Sequence, residues 1–110
     1  MRWGRSEIDK VAVESAAADY EAFEAIGLEA IENAAILDMG CFDGFNTVLK
    51  FAPYENISTV VGIDPETEAL DLAGQHTTDQ RFTWIRSSAE EFDAPSSSFD
   101  VVYLSHVFQH

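Results

Sequence analysis

The fold is decided by residues 35–47, which read Ala35-Ile36-Leu37-Asp38-Met39-Gly40-Cys41-Phe42-Asp43-Gly44-Phe45-Asn46-Thr47. An apolar run ends at the acid Asp38, and Gly40 and Gly44 then punctuate a tight turn. This order predicts a strand, a ligand-binding loop and the first turn of a helix. Such a unit places backbone N–H groups and the positive end of a helix dipole at the carboxyl end of a sheet, where a small polar ligand can bind.

After residue 35, short apolar runs alternate with helical stretches, a pattern typical of βαβ units in a parallel sheet. The predicted strands lie near Ala35–Met39, Thr59–Ile63, Phe82–Arg86 and Asp100–Leu104. One helix is predicted from Gly44 to Ala52 and a second from about Pro65 to Gln75. Pro65 is expected in the first helical turn, because its missing N–H has no helical partner there. The prediction is therefore an α/β domain over residues 35–110.

Residues 1–34 are predicted to be an N-terminal helical segment that covers the sheet. Ser6 and Asp9 have the spacing of a capping box, and Gly27 is a stop signal. A helix is therefore expected from about Ser6 to Ile26. Its apolar positions have spacings compatible with a single face and are Ile8, Val11, Tyr20 and Phe23.

The composition is that of one globular domain in an acidic chain. Of the 110 residues, 46% are apolar, and the formal net charge is -14. This charge repels nucleic-acid phosphate and the six Lys and Arg are scattered, so direct nucleic-acid binding is not expected. Cys41 is the only cysteine, and no apolar leader or membrane-length run occurs. We therefore expect a cytoplasmic protein without membrane association.

Four short motifs in residues 36–110 resemble, in order and spacing, those of class I methyltransferases that use S-adenosylmethionine. They are Asp38-Met39-Gly40-Cys41-Phe42-Asp43-Gly44, Val60-Val61-Gly62-Ile63-Asp64, Ser87-Ser88-Ala89-Glu90 and Ser98-Phe99-Asp100-Val101-Val102-Tyr103-Leu104-Ser105-His106. The resemblance implies the first half of a Rossmann-like domain, with four parallel strands in the order 3-2-1-4. The sequence departs from the family at Phe42, which replaces the middle glycine of Gly-x-Gly-x-Gly.

The resemblance implies that a specific set of residues contacts S-adenosylmethionine. They are Asp38, Gly40, Gly44, Asp64, Pro65, Ser88, Ala89 and Ser105. The cofactor carries an ammonium group, a sulfonium group and two ribose hydroxyls, so its site needs carboxylates and close backbone approach. Asp38 is expected near the methionine end, while Gly40 lets the backbone approach closely because it has no Cβ. Asp64 follows the next strand, where its carboxylate can accept both ribose hydroxyl protons.

The other expected contacts are less direct. Gly44 is expected to permit tight packing where the loop becomes a helix. Pro65 is expected to pack on the adenine ring, and Ser105 to offer its backbone near the methionine group. Ser88 and Ala89 lie where the family contacts the adenine edge, and for Ser88 a plain turn role is an equal alternative.

Three further interpretations of these residues are disfavoured. A nicotinamide dinucleotide site asks for Gly-x-Gly-x-x-Gly, and Phe42 and Phe45 stand at two of those positions. Cys41 is interpreted as a small loop residue, because no activating base is evident in the sequence. His106 and His110 are four residues apart, but with no third ligand evident no metal site is predicted.

The resemblance covers only the first half of the family's domain. Because acceptor-binding residues in this family usually lie beyond the fourth strand, no catalytic residue is assigned and the methyl acceptor is unknown. The 110-residue chain alone is expected to be inactive as a transferase. Its fourth strand is predicted to be an apolar edge through which the chain forms a homodimer. The alternative function is a non-catalytic Rossmann-like module that acts by binding or self-association.

Overall fold

A parallel sheet carries the fold, in a computed structural model that describes residues 12–13, 19–88, 90–92 and 98–104. The strands are β1 (Ala12–Val13), β2 (Ala34–Met39), β3 (Ile57–Asp64), β4 (Phe82–Arg86) and β5 (Val101–Leu104). The helices are α1 (Asp19–Ala25), α2 (Phe45–Phe51) and α3 (Thr67–His76), with a 3-10 turn at Leu28–Ala30. None of the helices in these ranges is long and apolar enough to cross a membrane.

The strand order is β1-β5-β2-β3-β4, and all neighbouring strands are parallel. The four predicted strands correspond to β2, β3, β4 and β5, so their order is the predicted 3-2-1-4. This confirms the Rossmann-like α/β fold. Because β2 and β3 are adjacent and parallel, Asp38 and Asp64 both lie toward the carboxyl ends of neighbouring strands, where such sheets bind their ligands.

The predicted helix from Ser6 to Ile26 is wrong at Ala12–Val13, which form β1 instead. Ala12 lies opposite Val102 of β5, and Val13 lies opposite Tyr103. The described part of the predicted helix is α1, Asp19–Ala25. The predicted helical face included Val11. Its neighbours Ala12 and Val13 pair with backbone groups of β5, which a helix at this position would leave unpaired.

The same pairing corrects a second expectation, that β5 is an unpaired edge. Its residues Val102 and Tyr103 have β1 on one side and β2 on the other. Among the described residues, the outermost strand on this side of the sheet is therefore the two-residue β1, which is too short to template extended pairing. Homodimerisation through β5 stays a prediction.

The core lies on both faces of the sheet. On one face α1 and α2 pack against the strands through three aromatic rings, with ring centroids 5.1 Å apart for Phe23 and Phe51 and 5.6 Å apart for Phe51 and Tyr103. On the other face Leu37 and Met39 of β2 pack in a cluster with Phe99. Because both faces are covered, β2 reads as a nearly continuous apolar run rather than an alternating one.

Arg81, immediately before β4, holds the loop that leads into β3 by hydrogen bonds. Its guanidinium donates to the backbone oxygens of Ala52 (2.9 Å), Tyr54 (2.7 Å) and Ile57 (3.2 Å) and to the carboxylate of Asp79 (2.7 Å). We expect Arg81→Met to lower the free energy of unfolding by about 2 kcal/mol, because three carbonyls lose a charged donor. Urea denaturation measures this, with Arg86→Met as the control. Arg86 is exposed and has no ion pair among the described residues, so an equal loss there would contradict the assignment.

This interaction also predicts a pH dependence. The side-chain hydrogen bond from Arg81 lowers the pKa of Asp79 below its ordinary value. The stabilisation is therefore complete above the ordinary aspartate pKa of about 4 and is lost as the pH falls through the lowered one. Urea titrations across this range should show that part of the acid destabilisation disappears in Asp79→Asn.

Candidate cofactor-binding site

The loop of residues 40–44, between β2 and α2, is folded onto the carboxyl end of β3. The N–H groups of Gly40 and Cys41 both donate to the backbone oxygen of Ile63, at 2.8 and 3.1 Å. Gly40 has φ 85° and Gly44 has φ 79°, a region that glycine enters without the Cβ clash of other residues. The two glycines therefore allow the chain to turn sharply at each end of the loop.

Asp64, the last residue of β3, holds the middle of the loop. One carboxylate oxygen accepts the N–H of Phe42 at 3.0 Å, and the other accepts the N–H of Glu66 at 2.9 Å. The side chain is well buried, with the residue 6% exposed. Each carboxylate oxygen can accept a second hydrogen bond, so this bracing leaves capacity for two hydroxyl donors. The sequence predicted that Asp64 contacts a ligand, but not that its carboxylate holds the loop through the N–H of Phe42.

The hydrogen bonds of Asp64 also explain why the predicted start of the second helix, at Pro65, was wrong. Helix α3 begins at Thr67 rather than at Pro65, with Glu66 in extended conformation before it. The hydrogen bond from the Glu66 N–H to Asp64 holds the chain out of the helix at that point. Pro65 is exposed immediately beside Asp64, outside the helix.

Phe42 takes the backbone conformation that a glycine would take. Its φ is 53°, and the residue is 49% exposed. A non-glycine residue in this region costs about 1–2 kcal/mol, so its surroundings must impose the conformation. The hydrogen bond from its N–H to Asp64 is one such constraint. The loop thus keeps the glycine geometry despite the bulky residue.

Asp38 is completely buried and accepts a hydrogen bond from the hydroxyl of Thr47 on α2. The next buried polar group on the same helix is Lys50, whose ammonium donates to the hydroxyl of Tyr103 at 2.7 Å and lies 4.9 Å from the centre of its ring. Tyr103 is paired in register with Asp38 across β2 and β5. The sequence pattern did not point to Thr47, Lys50 or Tyr103. The only signal in the sequence was Lys50, which lies on the face of α2 that also carries Phe51.

Trp84 of β4 lies over two glycines of the site. A Cβ placed on Gly44 would come within 2.7 Å of the indole, and one on Gly62 within 2.6 Å. Both distances are far below an ordinary van der Waals contact, so only glycine fits at either position. This bears out the expectation that Gly44 permits tight packing where the loop becomes a helix.

Ser88 caps a short turn after β4. Its hydroxyl accepts the N–H of Glu91 at 3.1 Å and donates to the Glu91 carboxylate at 2.9 Å, an arrangement similar to a capping box. The turn role that was an equal alternative for Ser88 is therefore present, and its contact with a ligand stays a prediction. Ala89, Ser105, His106 and His110 lie outside the described residues.

Cys41 is buried, with 2% exposure, and its burial raises the pKa of the thiol well above the usual range. The neighbouring Asp38 and Asp64 carboxylates act in the same direction. We expect native chain at pH 8 to react with a thiol reagent such as iodoacetamide at least about 100-fold more slowly than chain unfolded in urea, because the thiolate is the reacting form. Rapid labelling of the native chain would contradict this and reopen a nucleophilic role.

The chemistry of this site favours one kind of ligand. Five N–H groups at and beside the loop already have acceptors within the chain, those of Gly40, Cys41, Phe42, Gly44 and Phe45. Two carboxylates, Asp38 and Asp64, lie on either side of these amides in the sequence. Phosphate groups need free amides and avoid carboxylates, whereas hydroxyls and cations need acceptors. No group of three or more His, Cys, Asp or Glu in the described part of the chain could hold a metal ion.

Fold and site together define a Rossmann-like domain with an acidic ligand loop at the carboxyl end of its sheet. The family described as "Methyltransferase domain" matches residues 37–110. The chain belongs to this family. No curated protein matches the sequence significantly.

Solved structures support the same fold. An S-adenosylmethionine-dependent methyltransferase from Mesorhizobium loti is 28% identical with a TM-score of 0.62; the match covers 81% of this chain and 39% of that one. The YcgJ protein from Bacillus subtilis is 22% identical with a TM-score of 0.62, over 76% of this chain and 36% of that one. A dimethyladenosine transferase from Plasmodium falciparum is 18% identical with a TM-score of 0.62, over 86% and 33%. The chain spans less than two fifths of the length of each.

Proposed function

We propose that this chain forms the S-adenosylmethionine-binding part of a methyltransferase. The observation that carries the proposal is the state of the loop amides: five of them are used within the chain, while each Asp64 oxygen accepts one backbone N–H and has room for a second donor. A dinucleotide would instead require amides aimed at its pyrophosphate. Membership of the methyltransferase domain family supports the same ligand.

The residues present fit this cofactor. Asp64 has one further acceptor position on each oxygen for the two ribose hydroxyls. The buried carboxylate of Asp38 supplies negative charge that favours the ammonium and sulfonium groups, and the positive φ of Gly40 brings bare backbone to the loop surface. Pro65 is exposed beside Asp64 and is available to an adenine ring. We keep Gly44, Ser88, Ala89 and Ser105 in the proposed site as well.

When bound, the cofactor supplies a methyl group on a positively charged sulfur, so the protein's task is mainly to position the reactants. The loop residues fix the place and orientation of the cofactor, and the burial of Asp38 keeps its charge in a low-dielectric setting where it acts strongly. The methyl acceptor and any catalytic base are not assigned. We also propose a reducing, cytoplasmic setting, because the single cysteine cannot form an internal disulfide.

Isothermal titration of the chain with S-adenosylhomocysteine tests the proposal, and a parallel titration with NAD is the comparison. We expect saturable one-site binding of S-adenosylhomocysteine and no binding of NAD. Binding of NAD in its place would overturn the proposal, as would the absence of heat with S-adenosylhomocysteine from a chain whose circular dichroism shows it to be folded. Methylation of an acceptor by this chain alone would contradict its expected inactivity and exclude the non-catalytic module.

A further inference from the structure

A shallow apolar groove lies between α2 and α3, and of its lining residues only Gly44 belongs to the proposed cofactor site. Its cavity has a volume of about 350 Å³ and is lined mainly by Phe45, Val48 and Leu49 of α2, by Leu72 and His76 of α3, and by Asp43. Phe45 is 68% exposed, Leu49 is 56% exposed and Leu72 is 46% exposed. Contiguous exposed apolar residues of this size commonly mark interaction surfaces.

Helix geometry shows that these side chains are not needed by the core. The buried residues of α2 are Thr47, Lys50 and Phe51, and they point to the sheet. Phe45 and Leu49 are four residues apart, so they lie one above the other on a different face of the helix. Leu72 is exposed although α3 buries Ala69, Leu70 and Ala73. The groove is therefore a second apolar face formed by two helices side by side.

The charges at the groove are acidic. Asp43 lines one end of the groove, and Glu68 is exposed one turn before Leu72 on α3. Among the described residues, the ionisable side chains that line the groove are Asp43 and His76, with no Lys or Arg, and Lys50 of α2 is buried against Tyr103. The chain carries 20 acidic residues against six basic ones. A second copy would bring the same negative charge to this surface, whereas a basic partner would be attracted to it.

We propose that this groove binds an amphipathic helix of a partner protein, with apolar residues on one face and Lys or Arg on the other. Apolar anchors at helical spacing fill a groove of this kind, as in other helix-in-groove interfaces. The partner's basic residues lie opposite Asp43 and Glu68. The inference does not depend on the proposed cofactor, because no groove residue except Gly44 belongs to the proposed cofactor site.

The partner would also contact the ligand loop from outside. Asp43 accepts the N–H of Phe45 at 3.1 Å, and Gly44 follows directly, so the groove begins where the loop ends. The same loop is held on its inner side by Asp64 through the N–H of Phe42. A partner bound in the groove would therefore contact the segment that positions the loop.

A fluorescein-labelled helical peptide tests the proposal by fluorescence anisotropy. Its apolar residues stand at positions i, i+4 and i+7, and its polar face carries lysines; a second peptide carries glutamates in their place. We expect saturable binding of the lysine peptide, weakened about tenfold or more by Leu49→Lys and, separately, by Leu72→Lys. Asn46→Lys is the matched control, because it adds the same charge at an exposed position on α2 outside the groove. It should change the affinity by no more than about twofold.

Three outcomes would overturn the proposal. One is equal affinity of the wild type and both folded leucine variants for the lysine peptide. The second is equally tight binding of the glutamate peptide. The third is a wild-type dimer in sedimentation that Leu49→Lys dissociates, which would assign the groove to a second copy. Circular dichroism shows whether each variant is folded, and having two leucine variants keeps the test valid if one is not.

Discussion

Replacing Gly44 by alanine is expected to lower the free energy of unfolding by about 3 kcal/mol, a large part of the stability of a domain this small. Two costs add at this position. The φ of 79° costs an alanine about 1 kcal/mol, and the new Cβ would lie 2.7 Å from the indole of Trp84 and 3.0 Å from the Cβ of Ala73. Urea denaturation followed by circular dichroism measures the loss.

The chain offers controls that separate the two costs. Gly27 has φ 74° with nothing within 4 Å of an added Cβ, so Gly27→Ala should lose only the backbone term, about 1 kcal/mol. Gly62 has no positive φ but the same crowding by Trp84, so Gly62→Ala should lose about 2 kcal/mol. Gly74 lies in α3 with open space beside it, and Gly74→Ala should gain about 1 kcal/mol.

This series would contradict the packing of Trp84 in one clear way. If Gly44→Ala and Gly27→Ala cost the same, the indole does not lie against the loop. If the crowding is real, Gly62→Ala should cost less stability in a Trp84→Leu background than in the wild-type chain. The shorter leucine side chain leaves room for the added Cβ.

Removing the Asp64 carboxylate is expected to have the largest effect on ligand binding. In Asp64→Ala the N–H groups of Phe42 and Glu66 lose their acceptor, and the free energy of unfolding should fall by about 2 kcal/mol. On the proposed function, two ribose hydroxyls lose theirs as well, so affinity for S-adenosylhomocysteine should fall about 100-fold or more. Thermal denaturation and isothermal titration measure the two effects separately.

Asp43→Ala is the matched control for Asp64→Ala. It removes an equal charge from the loop that Asp64 holds, and the Asp43 carboxylate likewise accepts a backbone N–H, that of Phe45 at 3.1 Å. Its effect on affinity should stay within about threefold, since Asp43 is not in the proposed cofactor site. If Asp64→Ala loses stability but keeps full affinity, Asp64 only braces the loop, and the ribose contact is wrong.

The sequence predicted the sheet well because its signals are local and strong. Ile36, Leu37 and Met39 form an apolar run that only a strand covered on both faces would use, and the glycines after it mark the loop. It failed at Ala12–Val13 because a two-residue strand has no periodicity of its own. That strand exists through its pairing with Val102 and Tyr103, some 90 residues away along the chain.

The positions of Asp38, Asp64 and the loop glycines at the carboxyl ends of two neighbouring strands were predictable, but the contacts that hold them were not. A phenylalanine at φ 53° contradicts local preference, and the group that accepts its N–H is 22 residues away at Asp64. A lysine in a helix is normally solvated, and the hydroxyl that receives Lys50 belongs to Tyr103, 53 residues further on. Contacts at such separations leave no pattern in a local stretch of sequence.

The position of Trp84 gives the molecule an optical reporter. Its indole lies within 2.6 Å of the point where a Cβ on Gly62 would stand, and the sulfur of Cys41 lies 2.9 Å from the same point. A thiol close to an indole can quench its emission, and Cys41 belongs to the loop of residues 40–44. Any ligand that shifts the loop should therefore change the emission of Trp84, and a Trp3→Phe background leaves Trp84 as the single fluorophore of its kind.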